Sequence, residues 1–563
     1  MKKLNNKNNI IKFILYLLFI TLINSNNVVF ANNNNEHDNY HKLDQQFSEL
    51  LKDNTYKEYN DGLIDQIKYL INNVYYYDIP ESISNAKSVE EIMKNIKDPY
   101  TQYYTGEEFK KLQEGINNVF SGIGIYYKKH EDGIIITDMV PGSSAEYAGL
   151  KIGDIAIQLN REEIKDLSVE KIDKYIKGEE GTKVILDVKR GTQIVTFILE
   201  RRAVEIPTVD SKILDENIGY VHIKSFGNKT PELFKKRIEN LLNSNIENLV
   251  VDLRGNLGGY TSSAYEIAGY FIGNKTATIM KDKKGNETLY RGPSQELLRD
   301  IPMIFITDKN TASASEILTS AVKDYERAFI IGNKTYGKGV QQTSFILTDE
   351  SFLKLTTHEF FSPFGSKINK VGVKPHFDTK SIDPLKVVGL LFSGGKHREY
   401  NSQLVKLSID SREFIIDLKK GKDRNYRSAF KYIIESSDGE NIEIGNKDNW
   451  VKFDKNKISN DFYFENLKTM DSLTKSSKDT ELTVKFNKDI RPRTANELNV
   501  KLVEETFFQE VQLEYTIDKG NEIHIKCKED LSTDKEYYLL VEGIESIDGM
   551  PLKNGSIARI YVY

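Results

Sequence analysis

The chain has 563 residues, room for roughly three or four domains rather than one module. The hydrophobic class is 39% and the charged class 29%, a polar balance that still supplies several cores and excludes disorder throughout. The 78 Lys and Arg against 83 Asp and Glu give a net charge of −5, which excludes a dominant basic field for nucleic acid, and the single Cys527 excludes an intrachain disulfide or a cysteine metal cluster.

Residues 1–31 read as a secretory signal peptide. Lys2, Lys3, Lys7 and Lys12 make a positive start, Phe13 to Ile23 is an apolar run too short to span a bilayer, and Val29-Phe30-Ala31 offers a cleavage site. Cleavage and retention as an anchor both stay open. Export without disulfides fits a bacterial envelope, so an extracytoplasmic location is expected. Residues 32–118 are expected to hold an Asn-rich linker and a helical region. Leu63, Ile64, Ile67, Leu70, Ile71 and Val74 recur at helix spacing, and Thr105 is placed to cap a short helix beginning at Gly106.

Residues 119–202 change to strand-like alternation with glycine punctuation. Ser121-Gly122-Ile123-Gly124-Ile125, then Val140-Pro141-Gly142 to Gly149-Leu150, then Gly153-Asp154-Ile155 and a helix from Ser168 to Ile176 follow one another. This string resembles a PDZ domain over its whole length. The resemblance implies that a peptide adds to the sheet edge beside the helix, with amides of Gly122, Ile123 and Gly124 nesting a free C-terminal carboxylate. A small β-domain of purely structural use is the alternative.

Residues 203–383 alternate apolar strands with amphipathic helices, the pattern of a mixed α/β core. Val250-Val251-Asp252 runs into Arg254-Gly255-Asn256-Leu257-Gly258-Gly259, a glycine-rich turn at a strand end. Pro302 to Thr307 is a buried strand followed by Thr311-Ala312-Ser313-Ala314-Ser315-Glu316 and a helix. Ser313 stands at that corner, where Ser313-x-x-Glu316 also reads as a capping box. Lys338 follows between Gly337 and Gly339, a setting in which a lysine can lie close to neighbouring backbone and be taken out of water. Gly332 to Lys338 imitates a phosphate loop, but Gly339 stands where Ser or Thr is needed and a strand follows instead of a helix. His222, His358 and His376 lie in the region without a glycine-rich loop, so a Ser313–Lys338 dyad is the better fit for activating a serine.

With Asp98-Pro99-Tyr100-Thr101-x-Tyr103 before the PDZ-like stretch and Gly372-Val373-Lys374-Pro375 after the lysine, the chain resembles the C-terminal processing, or tail-specific, serine peptidases from about Gly62 to Asp378. The resemblance implies Ser313 as nucleophile, Lys338 as general base, Gln342 as the lysine's orienting partner, and the amides of Gly259 and Ala314 as the oxyanion hole. No metal or cofactor is implied. Leu257, Thr311 and Gln341 depart from the family's commoner residues without touching a proposed catalytic atom.

After Pro384 the pattern shifts, which suggests a separate core. Residues 384–455 form a mixed segment of unread role. Residues 456–563 alternate in Leu482, Val484 and Phe486 and again in Ile523, Ile525 and Cys527, like an immunoglobulin-like β-sandwich. The expected whole is a multidomain α+β and α/β protein: helical start, PDZ-like β-domain, peptidase core and C-terminal β-domain. Its expected function is an exported serine endopeptidase acting on protein or peptide substrates bound by their C-terminal ends, with no nucleic-acid partner. Membrane or cell-wall association and homo-oligomerisation stay open. The rival is a surface PDZ peptide-binding protein with a non-catalytic peptidase-like scaffold.

Overall fold

The computed structural model describes residues 62–563, apart from 216, 294–296, 299, 396–402, 438–441, 447–448, 453, 456–457, 459, 466, 478–480, 507 and 553. The expected signal peptide and linker lie outside the described residues. The chain divides into two units, 1–69 and 70–563, and all the sheets lie in the second.

A six-stranded sheet organises the peptidase-like region. Its order is Val209–Leu214, Ile218–Ile223, Asn248–Asp252, Met303–Thr307, Phe329–Gly332 and Phe377–Asp378. The first pair is antiparallel and the rest are parallel. Such strands are buried on both faces, which is why they read as unbroken apolar runs. Val221, Leu249, Val251, Phe305 and Ile330 pack towards the helices Thr230–Asn243, Thr261–Ile272 and Ala314–Asp324. Their neighbours Ile218, Val250, Ile304, Ile306, Phe329 and Ile331 turn the other way. A second, five-stranded sheet carries Gln102–Tyr104, Thr276–Asp282, Glu287–Arg291, Val340–Ile346 and Phe352–Phe361.

The PDZ-like region has its own core, built around Ile123, Ile134, Leu159, Ile172, Ile176 and Leu186. Its main strands run in the order Ile125–His130, Gly133–Met139, Ile155–Leu159, Lys183–Arg190 and Gln193–Glu200, which leaves Ile125–His130 at an edge. Before it, the expected cap holds: Glu108 N–H donates to Thr105 Oγ1 and the Glu108 carboxylate accepts from Thr105 N–H.

The region after Pro384 forms a core of its own only between Leu482 and Val562, and its remaining buried residues pack with the six-stranded sheet. The helices Pro384–Leu391 and Arg427–Ser436 cover the second face of the six-stranded sheet, in one cluster with Val250, Ile304 and Ile331. Residues 404–452 add a four-stranded sheet. Beyond it, a five-stranded sheet contains Val500–Glu504, Lys535–Val541 and Ser556–Val562. Successive side chains of Lys535–Val541 serve different cores. Tyr538 and Leu540 join the peptidase-side cluster, while Tyr537, Leu539 and Val541 join a cluster shared with the three-stranded sheet of Glu481–Lys485, Leu513–Asp518 and Glu522–Cys527. Cys527 is a buried free thiol, pushed up to about 11 by that burial.

Candidate active site

Three adjacent parallel strands end at Asp252, Thr307 and Gly332, and the loops leaving these carboxyl ends carry the glycine turn, Ser313 and Lys338. Open α/β sheets gather ligand groups at such ends. The loops are held to one another. Asn256 O accepts from Ala312 N–H at 3.0 Å and from Ser315 Oγ at 3.0 Å, and Thr311 Oγ1 donates to Leu253 O at 3.0 Å. Tyr336 N–H reaches Thr311 O at 2.9 Å. Thr311, a departure from the commoner residue, is thus a strut between loops.

Ser313 is buried at the start of the helix Ala314–Asp324 with φ 59° and ψ −117°. A serine that only caps sits in extended backbone. A left-handed φ in a residue with a side chain costs on the order of 1–3 kcal/mol and persists where the surroundings enforce it. That strain separates the corner from an ordinary cap.

Glu316 is the enforcing residue. Its fully buried carboxylate accepts from Ser313 N–H and Lys338 N–H, both at 2.9 Å, from Gly337 N–H at 2.8 Å, and from Thr335 Oγ1 at 2.5 Å. Burial pushes its carboxyl pKa up, and these four donors oppose the rise. One anion therefore fixes the backbone at both Ser313 and Lys338. The sequence signal was present in Ser313-x-x-Glu316, but it reads as local capping. Replacing Glu316 by Gln turns an NH₂ group towards N–H donors, each such bond to a charged group being worth about 1.5–3 kcal/mol. We expect a lower melting temperature and a fall of at least about tenfold in kcat, measured by calorimetry and steady-state hydrolysis.

The amides near the serine divide clearly. Gly258 N–H donates to Asn256 Oδ1 at 2.9 Å, whereas the N–H groups of Gly259 and Ala314 meet no acceptor among the described residues. Gly258 has φ 105°, and a Cβ there would stand 2.8 Å from Ser313 Cβ and 3.0 Å from Ala314 N. Glycine is what lets the two turns touch.

Lys338 is partly buried, with Nζ 4.8 Å from the centre of the Tyr100 ring. Its pKa is pushed down to about 8, first by burial and then by the positive charge of Lys354, against the pull of Asp98 and Glu316. A Cβ on Gly339 would lie 2.2 Å from Asn369 N, so the expected close backbone approach is present. No hydrogen bond joins Lys338 Nζ to Ser313 Oγ. Gln342 Nε2 donates to Val340 O and Thr356 Oγ1, both at 3.3 Å, and not to the lysine. Beside Lys338 lies a cavity of about 530 Å³ walled by Tyr75, Tyr77, Tyr100, Tyr336 and Asp98.

The histidines are engaged elsewhere. His222 Nε2 is 3.4 Å from Arg254 O, His358 Nδ1 is 2.9 Å from Thr357 Oγ1, and His376 accepts from Ile330 N–H and stacks on Phe329. Among the described residues, Asp518, Glu522 and His524 bring three metal-type donors within 4.8 Å, but Lys485 already pairs with Glu522 at 2.9 Å.

In the PDZ-like region Gly122 pairs with Arg202 in a two-stranded ribbon. The N–H groups of Ile123 and Gly124 meet no acceptor among the described residues. Gly124 has φ 77°, and a Cβ there would fall 2.3 Å from Ser143 Cβ.

The model of peptidase family S41 matches residues 217–379, and a PDZ domain model matches 135–190. "Probable CtpA-like serine protease" of Staphylococcus aureus (strain N315) is 32% identical over 382 residues, covering 67% of this chain and 74% of its own. The chain belongs to the S41 family. It is a CtpA-like serine peptidase with an adjacent PDZ domain. The Staphylococcus epidermidis protein of the same description is 29% identical over 412 residues, covering 72% of this chain and 81% of its own. A solved photosystem II D1 C-terminal processing protease overlaps 58% of this S41 chain and 93% of its own at 22% identity, with a TM-score of 0.37.

Proposed function

We propose that Ser313 and Lys338 form the catalytic dyad of an endopeptidase that takes protein substrates by their C-terminal tails. The observation that carries this reading is the strained Ser313 corner, tied through Glu316 to a lysine of lowered pKa and flanked by two unpaired amides. Neutral Lys338 takes the Ser313 hydroxyl proton as Oγ attacks the scissile carbonyl, and the two groups close to bonding distance in the substrate complex. The amides of Gly259 and Ala314 receive the developing oxyanion, a contribution of roughly 3 kcal/mol each. The lysine ammonium then protonates the departing amine, and water hydrolyses the acyl-enzyme. Gln342, proposed as the lysine's orienting partner, would leave Val340 O and Thr356 Oγ1 and turn towards it in that complex.

Tail recognition falls to the Ile123 and Gly124 amides, with Gly122 shaping the turn. The proposed boundaries are 119–202 for the PDZ domain and 203–383 for the catalytic core. Export by residues 1–31 to an extracytoplasmic site follows from their charge and apolar run. The Ig-like reading of 456–563 draws on its five- and three-stranded sheets around a common core. An unfolded test protein should be cut by the wild type and left intact by Ser313→Ala, which keeps its circular dichroism. Full activity in the folded variant would refute the assignment.

A further inference from the structure

Lys338 and Lys354 stand near enough to repel, and each lies over the ring of its own tyrosine. Lys338 Nζ is 4.8 Å from the Tyr100 ring centre, and Lys354 Nζ is 5.8 Å from that of Tyr104. The two pairs differ in what else they hold. Lys354 Nζ also donates to Gln102 Oε1 at 3.4 Å, whereas Lys338 Nζ meets no hydrogen-bond acceptor among the described residues.

Tyr100 is built on the same frame as the lysine it faces. In the turn Asp98-Pro99-Tyr100-Thr101 the buried Asp98 carboxylate accepts from Tyr100 N–H at 3.0 Å and from Thr101 Oγ1 at 2.7 Å. Thr101 Oγ1 accepts in its turn from Thr356 N–H at 3.2 Å, on the strand Phe352–Phe361. That strand pairs with Val340–Ile346, which begins just after Lys338. The Tyr100 hydroxyl meets the Tyr336 side chain, whose backbone N–H is held by Thr311 O in the serine's loop. Ring, lysine and serine loop are thereby fixed to one another.

A carboxylate beside Nζ would hold the lysine in place but would hold its proton as well. A ring face attracts the ammonium through its quadrupole and leaves the lone pair of the neutral amine free. The attraction grows as the proton passes from Ser313 Oγ to Nζ and charge appears over the ring. We infer that Tyr100 is a positioning residue, which sets Lys338 for proton transfer by presenting its ring face to the side-chain nitrogen. This rests on the reading of Lys338 as the general base.

The test replaces Tyr100 in the full-length protein and follows kcat/KM against pH on an unfolded test protein, with folding checked by circular dichroism. Phenylalanine keeps the face, trifluorophenylalanine keeps the shape but draws electrons from it, and leucine removes it. A weaker face disfavours the ammonium, so the midpoint of the rising limb should move to lower pH. Tyr100→Phe should keep the wild-type midpoint, and trifluorophenylalanine at position 100 should lower it by about half a pH unit. Tyr100→Leu should lower it at least as far, with a loss of about tenfold on the alkaline plateau. The fluorinated protein decides the matter whether or not the leucine variant folds. The other groups around Lys338 stay the same throughout: Lys354, Asp98 and Glu316, with Lys97, Lys370 and Tyr336 on the cavity wall. A lower plateau with an unmoved midpoint would reduce Tyr100 to packing and overturn the proposal. A midpoint moved to higher pH would show water reaching the lysine and would overturn it too. Near-normal turnover in Lys338→Arg would instead overturn the base on which it rests.

Discussion

Lys338→Arg should give a folded protein with no measurable hydrolysis at any pH. A guanidinium stays protonated throughout the accessible range and cannot take the Ser313 proton. The wild type should gain activity as pH rises through about 8, where Lys338 loses its proton. The sign follows from the base being the neutral amine: at pH 7 only about a tenth of Lys338 is neutral, and a plateau lies above the pKa. Lowering the lysine from 10.5 to about 8 corresponds to roughly 3 kcal/mol of bias against the charged form. Burial is the main source, and Lys354 adds to it. Lys354→Met should therefore move the rising limb to higher pH, as read from kcat/KM profiles. Near-normal turnover in Lys338→Arg would refute the dyad and return His222 and His358 to consideration.

Ending the chain after Asp383 should yield an insoluble or unfolded product. From the sequence, catalysis would survive this cut, because every catalytic motif lies upstream. The packing points the other way. Removing 384–563 uncovers Ile218, Val250, Ile304, Ile306, Phe329 and Ile331, one whole face of the sheet that carries the site. At about 1.5–3 kcal/mol per large side chain, six such residues lose on the order of 10 kcal/mol. That matches the entire stability of an ordinary domain, about 5–15 kcal/mol. Soluble expression, thermal melting and hydrolysis would decide it. A soluble, active 1–383 protein would show that another surface covers this face.

What could be read from the sequence was whatever is local. Ser313 stood out because strand, turn and helix follow within a few residues, and Lys338 because two glycines flank it. Glu316 was legible only as a cap. Its other partners, Thr335, Gly337 and Lys338, lie 19 to 22 residues away, and no local spacing announces them. The same limit hid the role of 401–450. There the strand Leu404–Ile409 pairs with Arg412–Asp417 and also with Ile442–Gly445, across an intervening helix. In Lys535–Val541 alternation shows that a residue faces one side or the other, not what covers each side. Both faces turned out to be covered, by different layers. The difference between the Gly258 and Gly259 amides is likewise not legible in the spacing, since it lies in the Asn256 side chain that accepts from the first.

The most direct test follows covalent modification of Ser313 by a serine-directed fluorophosphonate, mapped by mass spectrometry at a series of neutral to alkaline pH values. A Ser313–Lys338 dyad predicts a single labelled peptide carrying Ser313. Its labelling rate should climb with pH to a plateau above about 8, and labelling should vanish in Lys338→Arg. Labelling at another residue, or an unchanged Ser313 rate in Lys338→Arg, would contradict it.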